Sequence, residues 1–311
     1  MRIPDFDDKL VVVNIQTFKI YCDLVETESF TKAALVNGVT QSAVSQQITA
    51  LEKQFDTLLI ERCKKQFRLT REGEFVYEYA KQLTQTYDSL VHKLEEVRDV
   101  VGGTIRLATI YSIGLHVLPP FISKFMKQFS AVNVHVEYQR ANQVYDDVLG
   151  NVVDMGMVAY PVKDSRLEIR ILRDEPMALI CHPTHTFAKS RSIHIEQISG
   201  QRFIGFESDI PTRKAIDRLL REKGIEIRMT MEFDNIETVK RAVEIDAGIS
   251  IVPSTTIENE LAKKSLVAIP LHGTEIARPL ALIFKRNKVL SPAMKEFMAV
   301  LKSAIPVPER N

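Results

Sequence analysis

The chain has little cysteine: 3 in 311 residues, at Cys22, Cys63 and Cys181. An odd, sparse set builds no disulfide framework and fits a reducing compartment. No stretch approaches the roughly 18 consecutive apolar residues of a membrane-spanning helix. The opening segment carries Asp5, Asp7 and Asp8 ahead of its apolar stretch, the reverse of a basic-then-apolar leader, so a cytoplasmic protein without a membrane partner is expected. An excess of one charge is also missing. The balance of 41 Lys+Arg against 40 Asp+Glu leaves +1, which by itself argues against an indiscriminate nucleic-acid binder. The sequence has no Gly-x-Ser-x-Gly, no phosphate loop and no dinucleotide glycine cluster, so an enzyme reading has no residues to attach to. Cys181-His182-Pro183-Thr184-His185 lacks a second ligand pair, and no resolving cysteine follows Cys181; neither a metal nor a redox centre is expected, and no cofactor. No internal repeat or low-complexity segment interrupts the chain.

What is present is an ordinary globular composition, 45% hydrophobic and 26% charged, long enough for two or more domains. Charge is unevenly placed within it: Arg62, Lys64, Lys65, Arg68 and Arg71 fall close together with no acid among them. Ahead of them, Asn14 stands as an N-cap before Ile15, Phe18, Cys22 and Val25 at helical spacing. Ser29 stands before a helix over 30–36 that Asn37-Gly38 ends. A third helix, about 41–55, follows at once; two helices joined by a glycine-containing turn are the helix-turn-helix layout. This helix puts Val44, Ile48, Leu51 and Phe55 on one side and Ser42, Ser45, Gln46 and Thr49 on another. The polar set is short and uncharged, suited to base edges or phosphates; a solvated bundle surface is the competing reading.

After Thr70 a long helix is predicted to run to Gly102-Gly103, about 45 Å at 1.5 Å per residue. Val76, Ala80, Leu83, Tyr87, Leu90, Leu94, Val97 and Val101 alternate steps of four and three, the seam of a helix that pairs with a second chain; packing on its own domain is the alternative. From Thr104 the pattern becomes strands at 104–109, 132–139 and 155–159 around helices at 115–129 and 142–149. A second set has strands at 177–181, 203–206, 229–233 and 249–252 around helices at 212–223 and 236–246, before a strand at 280–284 and a helix at 292–305. Alternation of this kind predicts mainly parallel sheets.

Several fixed spacings then stand out: Phe18, Ser29-Phe30-Thr31-Lys32-Ala33-Ala34, Gln41-Ser42-Ala43-Val44-Ser45-Gln46-Gln47-Ile48, Leu51-Glu52, Leu59, Glu61-Arg62, Leu69-Thr70 and Glu72-Gly73. Together they resemble the DNA-binding signature of the LysR family of bacterial transcription regulators. Leu118-Pro119, Asp154, His185 and Gly248-Ile249 followed by Pro253 match that family's sensor domain more loosely. Asp56 and Asp246 depart from it, standing where the family usually has Gly, as does Ile60, where it has Phe.

The resemblance implies an α+β multi-domain chain: an all-α winged helix-turn-helix (1–71), a dimerising linker helix (72–103) and a sensor of two α/β, periplasmic-binding-protein-like lobes (104–311). Lobe I would take 104–165 and 267–311, and lobe II 166–266. Ser42, Ser45, Gln46 and Thr49 would enter the major groove, Thr31 and Gln41 would lie near phosphates, and Arg62, Lys64, Lys65 and Arg68 would form a wing along the backbone. The seam through Val76, Leu83, Tyr87, Leu90, Leu94 and Val97 would pair two chains over an inverted-repeat operator in double-stranded DNA, with a dimer of dimers (a homotetramer) and RNA polymerase as further partners. In open parallel sheets ligands sit off the carboxyl ends of strands, at helix N-termini. That rule selects Tyr111 and Ser112, Asn142, Ser208 with Thr212 and Arg213, and Ser254 as effector-binding candidates. Pro211-Thr212-Arg213 suggests an anionic metabolite, held by hydroxyls and a planar fork; plain helix capping with Arg213 in solvent is the alternative. A DNA-independent solute-binding module and an α/β enzyme with a helical appendage are the readings from other classes.

Overall fold

The computed structural model describes residues 14–61, 67–97, 101–273 and 276–303, with nothing said of the side chains at 95–97 and 303. The chain divides into two compact units. One holds the described residues up to Val101 with Leu149–Val152 and Asn287–Pro292; the other holds the remaining described residues.

In the first unit each of three helices starts on a side-chain cap. Asn14 accepts from the Gln16 N–H ahead of α1 (Ile15–Thr27), Ser29 from Lys32 ahead of α2 (Phe30–Asn37), and Thr40 from Ala43 ahead of α3 (Gln41–Phe55). Such caps satisfy amide groups that the first helical turn leaves unpaired. The expected helix-turn-helix is present, and its turn needs Gly38 at φ +64°. Asp56, where the resembled family usually has Gly, takes φ +48° and ends α3 in the same left-handed way; Asp246 does likewise at φ +59°. The core gathers Ile20, Tyr21, Leu24, Ala33, Val44, Ile48, Leu51 and Leu59. Glu52 is buried with them, and its Oε1 accepts the Leu59 and Ile60 N–H groups at 3.0 and 3.4 Å, tying α3 to the extended segment that follows it. Ile60 pairs antiparallel with Leu69, flanking residues 62–66. The long helix α4 (Arg71–Val97) follows.

The second unit opens with β1 (Gly103–Thr109), α5 (Tyr111–His116), α6 (Pro119–Gln128), β2 (Val132–Tyr138), α7 (Ala141–Leu149) and β3 (Met155–Ala159). The single helix expected at 115–129 is two, because Pro119 and Pro120 start α6 afresh. Then come β4 (Leu167–Cys181), β5 (Ile193–His194), β6 (Arg202–Phe206), α8 (Pro211–Glu222), β7 (Arg228–Phe233), α9 (Ile236–Glu244), β8 (Ser250–Pro253) and α10 (Glu258–Lys263). β9 (Val267–Ile269), β10 (Leu271–His272), β11 (Ala277–Lys285) and α11 (Pro292–Ser303) complete it.

The strands order as β2-β1-β3-β11-β4-β8. β1 runs parallel to both β2 and β3, and β11 returns antiparallel to β3 and β4. β4 is much longer than the 177–181 segment expected. Residues 167–176 pair with β11, while 177–181 pair with β8 and β9. One strand therefore serves both lobes. Its first part reads as an amphipathic, half-exposed strand, with charged residues diluting the apolar signal at either side of Ile169 and Ile171. β6 pairs parallel with β7, and Phe203 bridges to Ile249 beside β8. The return to lobe I comes later than residue 267, since β9 still pairs with the end of β4 and β10 with β5. Two clusters of buried side chains, one around Phe203, Ile216 and Ile251 and one around Ile204, Val239 and Val252, pack about β6 and β8.

Candidate functional site

The helix-turn-helix presents a defined polar face. Val44, Ile48 and Leu51 point α3 into the core, and Gln41, Ser42 and Gln46 are exposed, with Ser45 and Thr49 half-buried. Thr31 and Arg68 are exposed as well. Ser42 Oγ shares a 2.9 Å hydrogen bond with Thr40 Oγ1 in the first turn. Gln46 and Thr49 have no hydrogen bond within the described residues, so their side chains are available to a ligand laid along α3. Arg62, Lys64 and Lys65 lie outside the described residues.

α4 divides its seam in two. Ala80 is buried and Val76 packs against the helix-turn-helix core, so the first two turns belong to their own unit. Farther on, Leu83, Tyr87, Leu90 and Leu94 are 50%, 48%, 56% and 48% exposed, one step apart at three- and four-residue spacing. The Val97 side chain lies outside the described residues.

In the second unit Ser112 is buried in the first turn of α5, immediately after β1, and Ser254 half-buried in a 3₁₀ turn (Ser254–Ile257) immediately after β8. α5 packs against that turn, so these two candidates do converge. Tyr111 stacks obliquely on Tyr138, ring centres 5.8 Å apart. Arg140, just before α7, reaches Glu207 at 2.6 Å and Asp209 at 3.4 Å, so the exposed Asn142 and Ser208 flank a bridge from one lobe to the other. His116 of α5 meets Glu237 of α9 at 2.7 Å. Burial raises the Glu237 carboxyl, but its bonds to His116 and Lys240 outweigh that and hold it below the ordinary value. Lys240 is itself buried and compensated by Thr256 O, Glu260 and Glu237.

Thr212 is buried in the first turn of α8, whose N-cap residue, Ile210, supplies no side-chain hydrogen bond. Arg213 departs from expectation. Its fork neither faces solvent nor stands open: Nε bonds both carboxylate oxygens of Asp217 at 2.7 and 2.8 Å, and Nη1 bonds Phe206 O and Glu232. A buried arginine beside Ser112 carries no sequence motif. Arg278 on β11 is 2% exposed; its Nη1 donates to Glu175 Oε2 on β4 at 2.7 Å and its Nη2 to Ser112 Oγ at 2.6 Å. Glu175 Oε1 accepts from Thr255. Burial lowers the Arg278 pKa, and the Glu175 carboxylate opposes this. Arg278 beside the apolar run of β11 was the available signal; Glu175 is one of several charges in β4 and lies 103 residues away, so pairing them needed the topology.

A helix-turn-helix followed by a two-lobed α/β unit defines a DNA-binding protein with an attached small-molecule-binding type of fold. Residues 15–74 match the bacterial regulatory helix-turn-helix protein model of the lysR family, and residues 98–306 match the LysR substrate binding domain. The chain belongs to the LysR family of bacterial transcription regulators. It is 28% identical over 285 residues to the RuBisCO operon transcriptional regulator of Allochromatium vinosum, covering 92% of this chain and 94% of that protein. It is 26% identical to the transcriptional activator CmpR of Synechocystis, over 92% of this chain and 94% of that one. A full-length OxyR variant from Pseudomonas aeruginosa shares the fold at a TM-score of 0.71 and 18% identity, covering 94% and 95% of the two chains. The regulatory domain of Synechocystis CcmR, solved in complex with 2-PG, superposes at 0.61 and 23% identity, covering 66% of this chain and 98% of that one. The protein is thus a DNA-binding transcription regulator and not an enzyme. Among the described residues no helix is long and apolar enough to cross a membrane.

Proposed function

We propose that the protein binds an inverted-repeat operator as a dimer and that a small anionic metabolite, received between its two α/β lobes, sets its activity. Ser42, Ser45, Gln46 and Thr49 enter the major groove, with Thr31 and Gln41 beside phosphates and Arg62, Lys64, Lys65 and Arg68 along the backbone. The observation that carries this is the polar face of α3, held outward by a core that Val44, Ile48 and Leu51 anchor, with Gln46 exposed and uncommitted. The half-exposed apolar row Leu83, Tyr87, Leu90 and Leu94 supports pairing through α4, because an isolated helix gains nothing from leaving such a row in water. Dimers of dimers and contact with RNA polymerase belong to the same reading.

For the effector, the 2-PG found with the CcmR domain supports a small anion, and the buried Thr212 at the uncapped start of α8 supports a helix N-terminus as one of its contacts. Arg213 is left out of the contacts, since Asp217 and Glu232 already hold its fork. Titrating full-length protein into labelled promoter fragments tests the DNA half. Gln46→Ala is expected to weaken binding to the cognate site by about 1–3 kcal/mol and to spare non-specific DNA. Equal losses on both DNAs would remove α3 from base readout.

A further inference from the structure

Arg278 is costly to bury. It sits on β11, between β3 and β4, and carries its charge at 2% exposure. One carboxylate, Glu175, compensates it from β4, the strand that serves both lobes. Replacing such a pair by apolar side chains is often neutral or stabilising, so its presence is weak support for a role in stability alone. The hydrogen-bond inventory of the guanidinium is also incomplete. Its Nε and Nη2 lie on one edge, the edge that matches a carboxylate or phosphate oxygen pair. Nη2 donates to the Ser112 hydroxyl, while Nε is buried with no acceptor among the described residues. Ser112 accepts that bond, and among the described residues its own hydroxyl hydrogen has no acceptor. Two donors therefore converge at the start of α5 with nothing to receive them. A buried donor left in this state is a cost that an ion or ligand would relieve.

We propose that Arg278 is the anion-recognising residue of the cleft. Its Nε–Nη2 edge and the Ser112 hydroxyl receive one carboxylate or phosphate group of the effector, and Glu175, fixed by Thr255, holds the opposite end of the guanidinium in place while the site is empty. The proposal rests on the reading of the cleft as an anion site, and it names the residue responsible. Nε is sealed from solvent, so an anion reaches it only as the lobes part, and binding is thereby coupled to lobe movement. Glu175 neutralises the charge that attracts the ligand. It acts as a specificity-determining residue: an incoming anion must be worth more to Arg278 than the repulsion from Glu175 costs.

The test uses full-length protein in thermal-shift and calorimetric titrations with inorganic phosphate, glycolate, oxalate and succinate. At least one is expected to stabilise the wild type. Arg278→Lys keeps a charge but lacks the edge and is expected to bind that anion on the order of tenfold more weakly. The double variant Arg278→Met/Glu175→Met leaves no lone buried charge to unfold the lobe and is expected to lose the response. Glu175→Gln removes the repulsion and is expected to bind on the order of tenfold more tightly. A structural pair would give no such gain. Retention of the full response in the double variant, or no gain in Glu175→Gln, overturns the proposal while the anionic reading of the cleft stands. Failure of every probe to stabilise the wild type overturns both.

Discussion

Gly73→Ala in the first turn of α4 should displace the segment around Leu59 from the helix-turn-helix core. A Cβ at this position would lie 2.1 Å from Leu59 O and 3.0 Å from Leu59 C, both backbone atoms, and 3.1 Å from the Tyr21 hydroxyl. A comfortable carbon–oxygen contact is about 3.3 Å, so one side must retreat by about 1 Å. Neither side is free to do so. The Leu59 N–H donates to buried Glu52 at 3.0 Å, Leu59 O accepts from Thr70 N at 3.1 Å, and the Tyr21 hydroxyl donates to Gly73 O at 2.8 Å. Overpacking of this kind costs about 1–3 kcal/mol, and the weakened Leu59–Thr70 bond adds about 1 kcal/mol. The better helix propensity of Ala returns about 1 kcal/mol, so the net loss is about 1–3 kcal/mol. The displaced chain at 58–60 leads directly into the basic segment at 62–66, so affinity for promoter DNA should fall with stability. Denaturant unfolding of the full chain, read beside fluorescence anisotropy on labelled promoter DNA, measures both. An unchanged midpoint with affinity kept within about twofold, less than 0.5 kcal/mol, would refute the packing argument.

Leu83→Glu with Leu90→Glu places two charges in the exposed α4 row; sedimentation should show loss of the dimer, and DNA affinity should drop at least about tenfold as the half-sites cease to act together. A dimer that persists would assign the row to another partner. Asp56→Gly relieves a left-handed residue at the end of α3 and should raise stability by about 0.5–1 kcal/mol, seen as a higher unfolding midpoint; a lower midpoint would mean that the Asp side chain holds the turn. Burial, then the carboxylates of Glu26 and Asp23, pushes the Cys22 thiol up to about 12; burial, then Asp246, pushes Cys181 up to about 11. In a Cys63→Ser background a thiol reagent at mildly alkaline pH should therefore find no reactive group until denaturant is added, and prompt labelling of the native protein would contradict that.

Much of this molecule was legible in order along the chain. Asn14, Ser29 and the Asn37-Gly38 turn fixed the limits of α1 and α2, because caps and left-handed turns are local chemistry that needs no distant partner. The two faces of α3 were readable for a similar reason: a period of 3.6 residues sorts Val44, Ile48 and Leu51 from Ser42, Gln46 and Thr49 before any core exists. Pro119-Pro120, by contrast, was local information that the apolar run at 115–129 concealed, and the helix there broke in two.

Tertiary structure decided which of several equivalent signals had partners. The α4 seam is continuous in sequence, yet Val76 and Ala80 are spent on the helix-turn-helix core and Leu83 onward is not, a division that depends on where α1 happens to lie. Arg213 carried the right chemistry for an anion, but Asp217 one turn away and Glu232 on β7 had already claimed it. Arg278 carried the same chemistry without any motif around it. Its meeting with Glu175 and Ser112 exists only because β11 returns between β3 and β4. Sequence alone settled the family, the helices of the helix-turn-helix and the polar face of α3, all of them short-range or periodic. Which arginine is buried beside Ser112 was settled by strand order, because a buried charge is defined by what surrounds it in space.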